Sequence, residues 1–121
     1  MLLIADELKR VIKTYNPTAA AVEELFFCTN AKTALVVGQA RGVILYTLES
    51  MGLPIDGYTP LQIKQGICGY GKADKKQVQY MVKNILKLSA TPKPDDAADA
   101  LAVAICHNHS IKLKSFVWLH M

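Results

Sequence analysis

Thr18-Ala19-Ala20-Ala21-Val22-Glu23 is the stretch on which the reading of the fold turns. A short apolar run set between Pro17 and a polar break reads as a buried strand, although alanine is a poor strand former. Glu23 stands at its C-terminal end, the edge at which open parallel sheets hold ligands. A capping or solvent-facing acid is the plainer reading of the same residue.

The flanking sequence alternates. Upstream, Ile4, Leu8, Val11, Ile12 and Tyr15 recur at helical spacing, so a helix is expected over 3–15, stopped by Asn16-Pro17. No capping residue precedes it. Downstream, a long helix is expected over 30–51, with Asn30 as N-cap and Gly52 past its end. Gly38 and Gly42 lie four apart on one face of that helix and would admit a close backbone neighbour. Residues 53–58 read as a second strand, and Thr59-Pro60 opens a short helix ending near Gly66. Asp74 caps a further helix carrying Val78, Met81, Val82, Ile85 and Leu86 on one stripe. Pro94 leads into an Ala-rich last helix over about 95–108, and the stretch 111–121 fits no element. Helix, strand, helix, strand and three helices imply a parallel α/β arrangement with helices on the sheet faces.

Bulk properties narrow the class. A chain of 121 residues argues for one domain, able to bury roughly two thirds of its unfolded surface. With 51% hydrophobic and 20% charged residues it is an ordinary globular chain, not a disordered one. No apolar run approaches the roughly 18 residues that a membrane span needs, and no signal peptide is read at the N-terminus. The net charge is +4, carried almost wholly by lysine, with Arg10 and Arg41 the only arginines. Point charges of this kind suit attraction to a phosphate backbone better than base readout. Three cysteines, Cys28, Cys68 and Cys106, an odd number with no paired spacing, fit a reducing, cytoplasmic setting. Cys106-His107-Asn108-His109 matches no trusted zinc spacing and reads better as a helix end carrying polar residues.

Asp96 and Asp99 are three apart and share one helix face. They also sit in the first turn, where the helix dipole favours acids for stability alone. Together with Glu23 they could meet the need of phosphodiester hydrolysis for carboxylates gathered around divalent ions. Spacing does not decide whether the three converge.

Three segments, in order, carry a family resemblance. Ala21-Val-Glu-Glu-Leu-Phe-Phe27, Ala34-Leu-Val-Val-Gly-Gln-Ala-Arg-Gly42 and Asp96-Ala-Ala-Asp-Ala-Leu-Ala102 together closely resemble the RuvC family of bacterial Holliday junction resolvases. Gln62-Ile-Lys-Gln65, Gly69-Tyr-Gly71 with Lys75, and Gln77-Val-Gln-Tyr-Met-Val82 support it. The resemblance covers about 3–109, as a nuclease domain, with 110–121 a divergent tail. It implies an RNase H-like fold and a homodimer that cuts four-way junction DNA with Mg²⁺ or Mn²⁺, two ions in a complete site. It also implies cooperation with a branch-migration helicase complex. Glu23, Asp96 and Asp99 match the family's metal-binding catalytic acids. Phe26 matches an aromatic near the junction crossover, with a core phenylalanine the alternative. Lys64 and Lys75 match lysines associated with junction DNA and catalysis, with solvated lysines the alternative. The long helix with Gly38 and Gly42 matches the dimer region.

The sequence also departs from the pattern. The family begins with three strands, the first bearing an aspartate in an Asp-x-Gly motif, and neither precedes the first helix here. Asp6 lies within a helix pattern and is no substitute. The expected fold is therefore an N-terminally truncated RNase H-like α/β fold with mainly parallel remaining strands. Three functions follow as expectations: a junction endonuclease, a junction-binding chain impaired in cutting, or a remnant completed by a second chain.

Overall fold

The computed structural model describes residues 1–24 and 30–119. The element order is α1 (Leu2–Tyr15), β1 (Ala20–Glu23), α2 (Ala31–Ser50), β2 (Ile55–Tyr58), α3 (Pro60–Cys68), α4 (Lys75–Ile85) and α5 (Asp95–Leu119). This is the order expected from the hydrophobic periodicity. The chain packs as two compact units. One comprises Met1–Ala20 with Leu25–Asp56, the other Ala21–Glu24 with Gly57–Met121.

In the first unit, α1 ends where Asn16 takes the left-handed conformation (φ 48°) and its N–H returns to the Ile12 carbonyl at 2.8 Å. Asparagine tolerates that conformation, and Pro17 cannot extend the helix. α2 starts at Asn30, whose side chain accepts from the Thr33 N–H at 2.9 Å, satisfying one of the helix's orphan donors. Gly52, at φ 78°, turns the chain after the helix. α1 packs on α2, and Ile12, Thr47 and Leu48 are buried. The Thr47 hydroxyl, 1% exposed, is satisfied within its own helix by donating to the Val43 carbonyl at 2.7 Å. The close neighbour expected along Gly38 and Gly42 is not found among the described residues. A Cβ on either would meet nothing within 4 Å among the described residues.

The two strands form one sheet, β1 beside β2. At its start the Ala20 N–H donates to the Pro54 carbonyl at 2.9 Å, within the first unit. At its end the Glu24 N–H donates to the Tyr58 carbonyl at 2.8 Å, within the second. Sequence position rises on both strands between those bonds, so the pairing is parallel, as expected.

The second unit carries the core. α3 opens with a capping box: Thr59 Oγ1 accepts from the Gln62 N–H, and the Gln62 side chain accepts from the Thr59 N–H, with Pro60 just inside. Gly66 does not end this helix. α3 runs to Cys68 because Gly69, at φ 83°, supplies the left-handed residue. Gly66 instead serves packing, since a Cβ there would lie 2.9 Å from Cys106 Sγ of α5. α4 opens with a second capping box, Asp74 with Gln77. Ile63, Ile67, Val82, Ala102, Val103 and Cys106 are buried together, with Val82 fully inaccessible. Each of the isoleucines and valines among them adds roughly 1.5–3 kcal/mol of transfer free energy at full burial.

The last helix departs from expectation. α5 runs unbroken from Asp95 to Leu119 and passes through the expected end near 108. Cys106-His107-Asn108-His109 is therefore mid-helix, not a helix end. Cys106 Sγ faces the Gln62 carbonyl at 3.6 Å, His107 Nδ1 shares a 2.7 Å hydrogen bond with the Tyr58 hydroxyl, and His109 Nδ1 faces the Gly66 carbonyl at 3.4 Å. Helical spacing turned these polar side chains onto α3 and the end of β2, which the local sequence did not reveal. No described helix is long and apolar enough to cross a membrane.

Candidate metal and phosphate site

The second unit contains a cleft of about 270 Å³ lined by acids from two elements and lysines from two others. Glu23 enters from the end of β1 and Asp99 from the second turn of α5. Lys64 comes from α3 and Lys75 from the first residue of α4. Pro60, Ile63, Val78 and Ala102 complete the wall. The capping boxes of α3 and α4 set where the two lysines leave the backbone. The parallel sheet brings the strand end, and Glu23 with it, to this edge.

The acids sense one another. Partial burial pushes the Glu23 carboxyl above its ordinary value of 4.5, and the like charge of Asp99 pushes it further; the Lys75 ammonium partly offsets both. Lys75 Nζ lies 3.4 Å from Asp95 Oδ2 and 3.9 Å from Asp99 Oδ2. The contact with Asp95, then the charge of Asp99, raises the Lys75 ammonium above its ordinary value. Asp96 acts on it more weakly.

Of the residues singled out in the sequence, Glu23, Asp99, Lys64 and Lys75 share this cleft. Asp96 does not line it. It is exposed in the first turn of α5, within electrostatic reach of Lys75. Phe26 lies outside the described residues. Asp95 was not singled out, yet it makes the shorter of the two contacts to Lys75 and also accepts from Gln79 Nε2 at 3.3 Å. No spacing signal could have found that pairing, because Gln79 and Asp95 belong to different helices.

The chemistry of the donors fits a divalent cation. Two carboxylates that repel each other, Glu23 partly buried and Asp99 more open, present hard oxygens, which Mg²⁺ and Mn²⁺ favour. Among the described residues, however, no three His, Cys, Asp or Glu side chains gather as a metal-binding group. Glu23 and Asp99 thus fit part of a metal site. The two cysteines described, Cys68 and Cys106, are free, and burial pushes both thiols upward, away from the reactive thiolate.

Fold and cleft define an α/β protein with an acidic, lysine-flanked site at the carboxyl end of a parallel strand. The chain belongs to the RuvC family: the family model described as Crossover junction endodeoxyribonuclease RuvC matches residues 1–107. The protein of that name from Roseiflexus sp. (strain RS-1) is 58% identical over 110 residues, which cover 91% of this chain and 66% of the relative. That from Alkaliphilus oremlandii (strain OhILAs) is 61% identical over 107 residues, covering 88% and 65%. The chain thus spans about two thirds of the length of these relatives. The Thermus thermophilus RuvC structure matches with a TM-score of 0.84 at 38% identity, covering 92% of this chain and 67% of that one. T. thermophilus RuvC in complex with Holliday junction substrate matches with a TM-score of 0.87 at the same identity and coverage. The expected α/β, RNase H-like architecture is that of these neighbours.

Proposed function

We propose that this chain supplies the acid-and-lysine half of a Holliday junction resolvase, a metal-dependent endonuclease that cuts four-way junction DNA in recombination and repair. The observation that carries the reading is the meeting of Glu23, Asp99, Lys64 and Lys75 in one cleft. They come from four elements, and no local preference of the chain requires them to meet. A likeness to T. thermophilus RuvC in complex with Holliday junction substrate supports junction DNA as the ligand.

Glu23 and Asp99 would hold Mg²⁺ or Mn²⁺, with Asp96 three residues before Asp99 on α5 as the third acid of this reading. When bound, the metal would polarise the scissile phosphate and lower the pKa of the attacking water. Lys64 and Lys75 draw the phosphate backbone into the cleft by charge, without reading bases. Phe26 is proposed to touch the junction near its crossover. In this reading the homodimer implied by the family resemblance would form on α2, where Leu35, Val36 and Tyr46 are exposed and Gly38 and Gly42 are open to a close neighbour. A branch-migration helicase complex as partner and a cytoplasmic setting belong to the same reading.

A second reading rests on the two, rather than three, acids that line the cleft among the described residues. In it, this 121-residue chain binds junctions but cuts them poorly. Both are tested with a synthetic four-way junction and Mg²⁺. Under the first reading the chain cuts, and Glu23→Gln or Asp99→Asn lowers the rate by more than about 100-fold, since outer-shell changes alone cost 10–100-fold. Both variants still retard the junction in a gel. Retardation without cutting by the parent chain selects the second reading, and absence of both rejects the two together.

A further inference from the structure

The two lysines of the cleft differ in one respect. Lys75 is seated on carboxylates, 3.4 Å from Asp95 and 3.9 Å from Asp99. Lys64 lines the same cleft, and no ion pair forms on it among the described residues. Asp95 is gripped twice, because Gln79, one turn along α4 from Lys75, donates to its other oxygen at 3.3 Å. One turn of α4 thereby holds an aspartate that does not line the cleft, and that aspartate holds the lysine over one that does.

We propose that Lys75 is the resident counter-cation of the Asp99 carboxylate, tethered by Asp95, and that it gives up Asp99 when a divalent cation binds, freeing its ammonium for a DNA phosphate. The inference rests on the metal reading given above.

Three features support the exchange. A divalent ion offers Asp99 twice the charge of an ammonium, so the carboxylate favours it. Lys75 and Asp99 are both well exposed, with side-chain accessibilities of 56% and 42%, so solvent screens the pair and little is lost on separation. The two contacts are unequal, and the shorter goes to Asp95. Lys75 can therefore leave Asp99 without leaving the cleft. Asp95 is a positioning residue: it keeps the ammonium at the mouth of the site in both states. Lys75 would then neutralise the acids before metal arrives and face the phosphate afterwards.

The test is Mn²⁺ binding to the 121-residue chain, read from the loss of the free-ion electron paramagnetic resonance signal. Lys75→Met should tighten binding roughly 1.4- to fivefold, the range expected for removing an exposed competing pair. Lys64→Met, which removes an equal charge from the same cleft, should change it less. In a second readout, the ¹³C-methylated Lys75 signal moves on Mg²⁺ addition and the Lys64 signal does not. Binding that is lost in Glu23→Gln but identical in parent and Lys75→Met overturns the resident cation and leaves the metal reading standing. Equal effects of Lys64→Met and Lys75→Met overturn it as well, since they show a general field instead of an exchange. If Glu23→Gln binds as tightly as the parent, or if neither parent nor Lys75→Met binds Mn²⁺, the metal reading fails and this inference falls with it.

Discussion

The two compact units bury their apolar residues in different ways. In the second, α3, α4 and α5 close around Val82, Ile63, Ile67 and Val103, and every one of those side chains is buried. In the first, α1 and α2 pack together yet leave Leu2, Leu3, Leu35 and Tyr46 between 63% and 77% exposed. Both units have capped helices and ordinary turns, so local structure does not separate them. What differs is how many elements share the apolar faces. A helix pair hides one stripe of each helix, whereas three helices and a strand end enclose a core. The candidate site lies in the unit with the enclosed core, which suits the fixed geometry that gathered carboxylates need.

The largest expected effect sharpens this contrast. Val82→Asp places an unpaired charge in the enclosed core and should cost roughly 4 kcal/mol or more, whereas Leu2→Asp at the exposed start of α1 should stay within about 0.5 kcal/mol. Urea titrations of the two variants check it, and equal losses would break the comparison. Gly66→Ala probes the closeness of α3 and α5. A methyl group 2.9 Å from Cys106 Sγ should cost about 1–3 kcal/mol, and the double variant with Cys106→Ala should recover much of it.

The smallest effect concerns the site itself. Glu23 has its pKa raised by burial and by Asp99, so the folded state holds this proton more tightly than the unfolded state does. Its charged form therefore opposes folding at neutral pH. Stability is regained as pH falls through the raised pKa towards 4.5. Glu23→Gln should then stabilise the chain slightly at pH 7, by less than about 1 kcal/mol after allowing for solvent screening, and the gain should shrink as pH approaches 4. Melting curves across pH 4–8 decide it, and a gain that grows on acidification contradicts the assignment.

Much of the fold was legible in the sequence. The periodicity of α1 and α4, the caps at Asn30, Thr59 and Asp74, and the apolar run ending at Glu23 are local signals, and each has its expected structure. The end of α3, expected near Gly66, falls at Cys68, and Gly66 itself serves a close helix contact, which a glycine signals with the same letter as a helix stop. α5 outran its expected end because its polar residues were weighed as terminators, while their partners lay on α3 and β2. In the site, the residue types and the resemblance pointed to Glu23, Asp96, Asp99, Lys64 and Lys75.

What the sequence determined by itself was the order and ends of most elements, the parallel sense of the strands, the family and a short set of candidate acids and lysines. All of these follow from interactions within a few residues along the chain, or from ordered motifs. Tertiary structure alone decided that Asp99 and not Asp96 lines the cleft with Glu23, and that Lys75 rests on Asp95 and Asp99 while Lys64 does not. Those outcomes depend on how α3, α4 and α5 pack around a shared core. Side chains three residues apart on one helix can differ in what they meet, because the neighbouring helix covers one turn and leaves the next in solvent.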